Sequence, residues 1–242
     1  MGAYAHLFGY VEEFIAPRML SLAQDFEIDN RAAFDALVNF AAEEVKHMNL
    51  FREVRSRVDQ AIGFPLALIG DEKAVARVVL DKNTGATLLL TAAIEWFTQL
   101  HYLSVFQKDE GLDTFTRHIF QHHWLEEAQH AKIDHLETLR AFEGMTAAEK
   151  DTAIEDLIGL VAAVDGLLGQ QTALDVQNLE RYLGRTLPEA RRRDVHRGVL
   201  FAKRYAFIES GVTHPNFQAL FAAVTTPAQQ ERVAGALKGL LG

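Results

Sequence analysis

Apolar residues recur along this chain with the 3.6-residue period of a helix, and almost nowhere with the two-residue alternation of a half-buried strand. Tyr4, Leu7, Phe8, Val11, Phe14 and Ile15 form the first such stripe. It predicts a helix from about residue 3 to about residue 24, kinked at Pro17. Phe34, Leu37, Ala41, Met48, Phe51 and Val58 form the second, with Asp29 or Asn30 as its cap and Gly63-Phe64-Pro65 as its end. A short helix over about 71–80 follows, then a break at 81–85. The third long helix spans about 86–107, with Leu88, Leu89, Ala92, Trp96, Leu103 and Phe106 on its apolar side. Gly111 and Asp113-Thr114 supply a turn and a cap for the fourth, which reaches about Phe142. Thr146-x-x-Glu149 is a capping box opening a helix to about Leu183, with Gly159, Gly166 and Gly169 as candidate bends. Pro188 fits the first turn of another helix, which reaches about Ser210 and stops at Gly211 and Pro215. Thr226-Pro227 opens the last one.

Loop lengths turn these elements into a topology. Short turns make the first and second helices antiparallel, and likewise the third and fourth. The second-to-third connection takes some 26 residues, roughly 60–85, enough to carry the chain back along a four-helix bundle. A plain up-down bundle would not need it. No repeat and no low-complexity linker divides the chain. The expectation is one all-α domain over 1–242, with a four-helix core over 1–143 and additional packing helices over 146–242.

Bulk composition removes several classes of function. No stretch approaches the roughly 18 uninterrupted apolar residues of a membrane span. The start, Met1-Gly2-Ala3-Tyr4-Ala5-His6, lacks a basic segment followed by an apolar one, so no signal peptide is expected and a cytoplasmic location is. The absence of cysteine excludes disulfides, Fe–S clusters and thiolate ligands. A net charge of −9 opposes nonspecific nucleic-acid binding. The basic run Arg191-Arg192-Arg193, with Arg197, reads as a solvated helix face.

The candidate chemistry lies in residues 123–130, His-Trp-Leu-Glu-Glu-Ala-Gln-His. His123, Glu127 and His130 stand at i, i+4 and i+7, which puts all three within about 60° on one face of a helix. Upstream, Glu43-Glu44-Val45-Lys46-His47 repeats the Glu-Glu-x-x-His pattern. Two Glu-x-x-His pairs plus one Glu on each of two further helices form the ligand set of a bundle dimetal carboxylate site. Glu95 sits in the most apolar part of the chain, Leu88-Leu89-Leu90-Thr91-Ala92-Ala93-Ile94-Glu95-Trp96-Phe97, where a carboxylate is costly unless paired or metal-bound. On the first helix the choice is between Glu12 and Glu13; Glu12 is nearer the apolar stripe and is taken. In an antiparallel arrangement all four ligand-bearing turns reach the same depth. Glu43, Glu126 and Asp134 could accept from the far nitrogen of a ligating histidine. Tyr102 and Tyr205 could line a pocket, and Glu209 and His214 could face a site. The histidines at 101, 118, 122, 135, 196 and 214 lie off the stripe and read as surface or hydrogen-bonded residues.

With these residues the sequence resembles the ferritin-like diiron carboxylate proteins over roughly residues 4–140. Aldehyde-deformylating oxygenases have similar spacing but no histidine equivalent to His123. The p-aminobenzoate N-oxygenase family has the extra ligand in the form His-x-x-x-Glu-x-x-His, which His123, Glu127 and His130 reproduce. Haem-oxygenase-like diiron oxidases share a His/carboxylate/His stripe but do not usually show two Glu-x-x-His pairs. The resemblance to the N-oxygenases implies an all-α, ferritin-like four-helix bundle holding two iron ions (Fe2+/Fe3+), with manganese as the other metal these ligands suit. It implies Glu44 and Glu127 as bridging or chelating ligands, His47 on one ion, His123 and His130 on the other, and Glu12 and Glu95 completing the set. It also implies O2 as co-substrate, a small organic substrate such as an amine, and electrons from a ferredoxin or reductase. A homodimer is expected on general grounds. The competing readings are a deformylating-type oxygenase, a ferroxidase or iron store, and a helical protein without metal.

Overall fold

The computed structural model of the chain describes residues 2–26 and 29–241. Among these residues there is helix and turn but no strand, and no helix is long and apolar enough to cross a membrane. In order come α1 (Gly2–Ala23), α2 (Arg31–Ile62), a short α3 (Glu72–Leu80), α4 (Thr84–His101) and α5 (Thr114–Glu143). There follow α6 (Ala147–Leu183), α7 (Glu189–Arg204), the single turn α8 (Ser210–Val212), α9 (Pro215–Val224) and α10 (Pro227–Leu241).

The helix ends obey local chemistry. Asn30 accepts from the Ala33 N–H at 3.2 Å, and Asp113 accepts from the Thr116 N–H at 3.0 Å. Gly63, at φ 81°, closes α2 in the left-handed conformation that glycine tolerates best. The Thr146 N–H donates to Glu149 at 2.8 Å while the Glu149 N–H donates to the Thr146 hydroxyl at 3.3 Å, which is the reciprocal capping box read from the sequence.

The chain divides into two compact units, residues 1–77 with 166–203 and residues 78–165 with 204–242. In the first, α1 and α2 run antiparallel: Gly2 lies beside Val58, Phe8 packs on Phe51 with ring centres 5.3 Å apart, and Gly9 lies beside Met48 and Phe51. The segment after α2 is extended, so its backbone groups need side-chain partners. Asp59 accepts from the Leu66 N–H, Asn178 bonds both the N–H and the C=O of Ala67, and Gln171 accepts from the Ile69 N–H. From α1, His6 donates to the Ile69 carbonyl and Tyr10 to the Gly70 carbonyl.

In the second unit α4 and α5 are antiparallel. Gly85 lies against Phe142, Gln99 donates to the Trp124 carbonyl, Tyr102 stacks on Trp124 at 4.8 Å, and Phe106 stacks on Phe120 at 3.9 Å.

Four features depart from the sequence reading. The third long helix does not continue as α-helix to 107: a π-helical turn, Tyr102–Phe106, follows α4. Its extra residue per turn rotates the register, so Tyr102 and Phe106 are buried while Leu103, expected on the apolar side, is exposed. Near the C-terminus the chain does not stop at Gly211. It passes through a second π-helical turn, Tyr205–Glu209, into α8. Pro215 does not end a helix but begins α9, where its missing N–H costs nothing, and the His214 ring accepts from the Asn216 N–H at 3.2 Å as the cap. The glycines of α6 do not interrupt it; it runs unbroken for 37 residues.

Candidate metal centre

In the first unit the α1–α2 register that pairs Gly9 with Met48 brings Glu12 level with the turn holding Glu44 and His47. All three are almost fully buried, at 3%, 0% and 1% exposure. Glu12 and His47 each offer a ligand atom within 4.8 Å of the other, and so do Glu44 and His47. The His47 Nδ1 lies 3.9 Å from Glu44 Oε1. The neighbouring Glu13 is spent differently: it is ion-paired with Arg52 near the surface. Two adjacent acids on α1 thus take opposite roles because one helical step separates the buried face from the rim.

In the second unit His123, Glu127 and His130 share the buried face of α5. His123 Nε2 lies 2.5 Å from Glu127 Oε1, and the Nδ1 of His130 contacts the other carboxylate oxygen. Burial alone would push the Glu127 carboxyl up, but the two imidazoles, by charge and hydrogen bond, hold it well below the ordinary carboxylate range. Glu95 is on α4, 1% exposed. The pairing of Gly85 with Phe142 and of Gln99 with Trp124 puts it opposite the stretch from Glu127 to Ala131. Among the described residues, it is not one of those whose candidate ligand atoms lie within 4.8 Å of one another.

The residues proposed to support the histidines are spread more widely. Asp134 is fully buried one turn beyond His130, Glu43 and Glu126 are half-buried, and Tyr102 is buried against Trp124. Of the histidines read as bystanders, His118 and His122 are exposed, and His101 is pushed down to about 4 by burial. His214 caps α9 and stacks on Trp96, ring centres 4.5 Å apart. Two features were not read from the sequence: the Glu13–Arg52 pair and the Tyr102–Trp124 stack. Arg52 stands one turn past Met48 on α2 and could have been found as a partner for a glutamate on α1. The stack joins two helices across a non-local contact, which no local motif announces.

The donor set fits a metal. Each unit buries at least two carboxylates with one or two imidazoles, an arrangement that is costly to desolvate without a cation. Carboxylate and imidazole donors without thiolate suit iron or manganese. The family model described as p-aminobenzoate N-oxygenase AurF matches residues 10–173. The chain belongs to the AurF family. Neither the curated proteins nor the solved structures give a match. AurF-family proteins are ferritin-like diiron oxygenases, which accounts for an all-α chain with buried Glu/His clusters able to bind metal. The AurF match takes in α2, α4 and α5 entire, so every candidate ligand lies within it.

Proposed function

We propose that this chain is an O2-dependent diiron oxygenase that oxidises a small organic substrate, with N-oxygenation of an amine as the reaction its family membership favours. The observation that carries the reading is the buried stripe His123–Glu127–His130, in which one carboxylate engages both imidazoles. Glu12, Glu44, His47, Glu95, His123, Glu127 and His130 would hold two iron ions. An iron pair held there would supply the electrons that reduce O2 and so make it an oxidant for the organic substrate.

The remaining work falls to the protein. Glu127 fixes the orientation of two imidazoles before metal arrives, which lowers the reorganisation needed for binding. Leu88 and Ala92, both buried on the same face of α4 as Glu95, help keep water from that carboxylate and so strengthen its attraction for a cation. A ferredoxin or reductase would return the electrons consumed in each turnover.

The test is an anaerobic Fe2+ load, followed by O2 in the presence of primary aromatic amines or of long-chain aldehydes, with product analysis. The expected result is O2-dependent conversion of an amine. Conversion of aldehyde alone would favour a deformylating reaction. Oxidation of Fe2+ with no organic product would favour a ferroxidase.

A further inference from the structure

The segment Phe207-Ile208-Glu209-Ser210-Gly211-Val212-Thr213-His214-Pro215 lies outside the part of the chain that the family model matches, yet it is pressed against the helix carrying Glu95. A Cβ placed on Gly211 would stand 2.2 Å from the carbonyl oxygen of Ala93 and 3.3 Å from Phe97 Cβ. Only glycine permits that approach. Either side of it, Phe207 packs edge-on against Phe97 with ring centres 5.2 Å apart, and the His214 ring lies nearly parallel to Trp96 at 4.5 Å. Along α4, Trp96 and Phe97 sit within about 60° of Ala93, whereas Glu95 is turned by roughly 200°. The segment therefore covers one side of α4, and Glu95 projects from the other. The π-helical turn Tyr205–Glu209 sets the register that delivers Gly211 to Ala93.

We infer that Gly211 is a positioning residue: with Phe207 and His214 it buttresses the back of α4 and fixes the depth at which Glu95 presents its carboxylate to the metal. The inference rests on the reading of Glu95 as a ligand. An added methyl cannot be absorbed by a flexible side chain, because what it meets is backbone. It must push α4 outward, and Glu95 moves with it. Loss of an orienting contact of this kind costs about 10- to 100-fold in metal affinity.

The experiment is an anaerobic Fe2+ titration of the full chain and of Gly211→Ala, Glu95→Gln and the double variant. Circular dichroism of each metal-free protein checks folding, and Thr213→Ala, an exposed hydroxyl in the same segment, is the control. Gly211→Ala is expected to stay helical and bind Fe2+ about 10- to 100-fold more weakly. It should add nothing in the Glu95→Gln background, because both changes act through one carboxylate. His214→Ala removes the stack on Trp96, together with the ring's cap on the Asn216 N–H, and puts no new atom against α4; it gives a smaller loss of the same kind and covers the case in which Gly211→Ala fails to fold. Wild-type binding in both Gly211→Ala and His214→Ala, or losses that add to that of Glu95→Gln, overturn the inference while leaving the metal centre standing. Wild-type binding by Glu95→Gln overturns both the inference and the ligand role of Glu95.

Discussion

Glu127→Gln should lose most of its iron while keeping its helices. Glutamine preserves the volume and one acceptor oxygen, so the side chain still fits the buried face of α5. What disappears is the negative charge and the ability to engage His123 and His130 together. One imidazole then loses its acceptor in a dry environment, which costs stability on the order of 1–3 kcal/mol. That is a fraction of the stability of a typical domain, so the metal-free variant should remain folded. Metal binding should suffer far more, because in the proposed centre the carboxylate would be both a ligand and the group that aims two others. Iron analysis beside circular dichroism decides the matter. Full iron in a folded Glu127→Gln protein would show that Glu127 is a structural partner of the histidines and not a ligand.

The second large effect separates two histidines of the same stripe. His130 belongs to a Glu-x-x-His pair, the unit repeated at Glu44 and His47, and its loss should cost iron. His123 is the added donor one turn earlier. In the proposed centre an added neutral nitrogen would fill a coordination position and alter how O2 reacts, more than decide whether metal binds. His123→Ala should therefore keep most of its iron and lose or redirect substrate oxidation, whereas His130→Ala should lose iron. Iron content and single-turnover product yield, measured on both variants, give the answer. A His123→Ala protein matching wild type in both would make His123 a buried hydrogen-bond partner only, and would bring the deformylating and ferroxidase readings forward.

The helices were legible because burial leaves a 3.6-residue mark. The stripe Leu37, Ala41, Met48, Phe51 on α2 is buried as its period requires. The stripe His123, Glu127, His130 was legible for the same reason, since i, i+4 and i+7 leave no choice of face on a straight helix, and the structure buries all three. Glu12 and Glu13 were harder. Period alone separates them weakly, and the burial of Glu12 with the pairing of Glu13 to Arg52 comes from the neighbouring helix. The π-helical turns at 102–106 and 205–209 left no mark. One extra residue per turn is a tertiary compromise, and the exposure of Leu103, which the unbroken period puts on the apolar side, goes with it. Pro215 misled because proline punctuates both ends of helices; the His214 cap before it is what makes this one a start.

The central claim is that seven donors on four helices hold two metal ions. Its most direct test is the iron content of anaerobically reconstituted protein, by elemental analysis against an accurate protein concentration. The account predicts about two irons per chain, because four carboxylates and three imidazoles exceed what one ion can coordinate. A clean value of one, or of none, would contradict it.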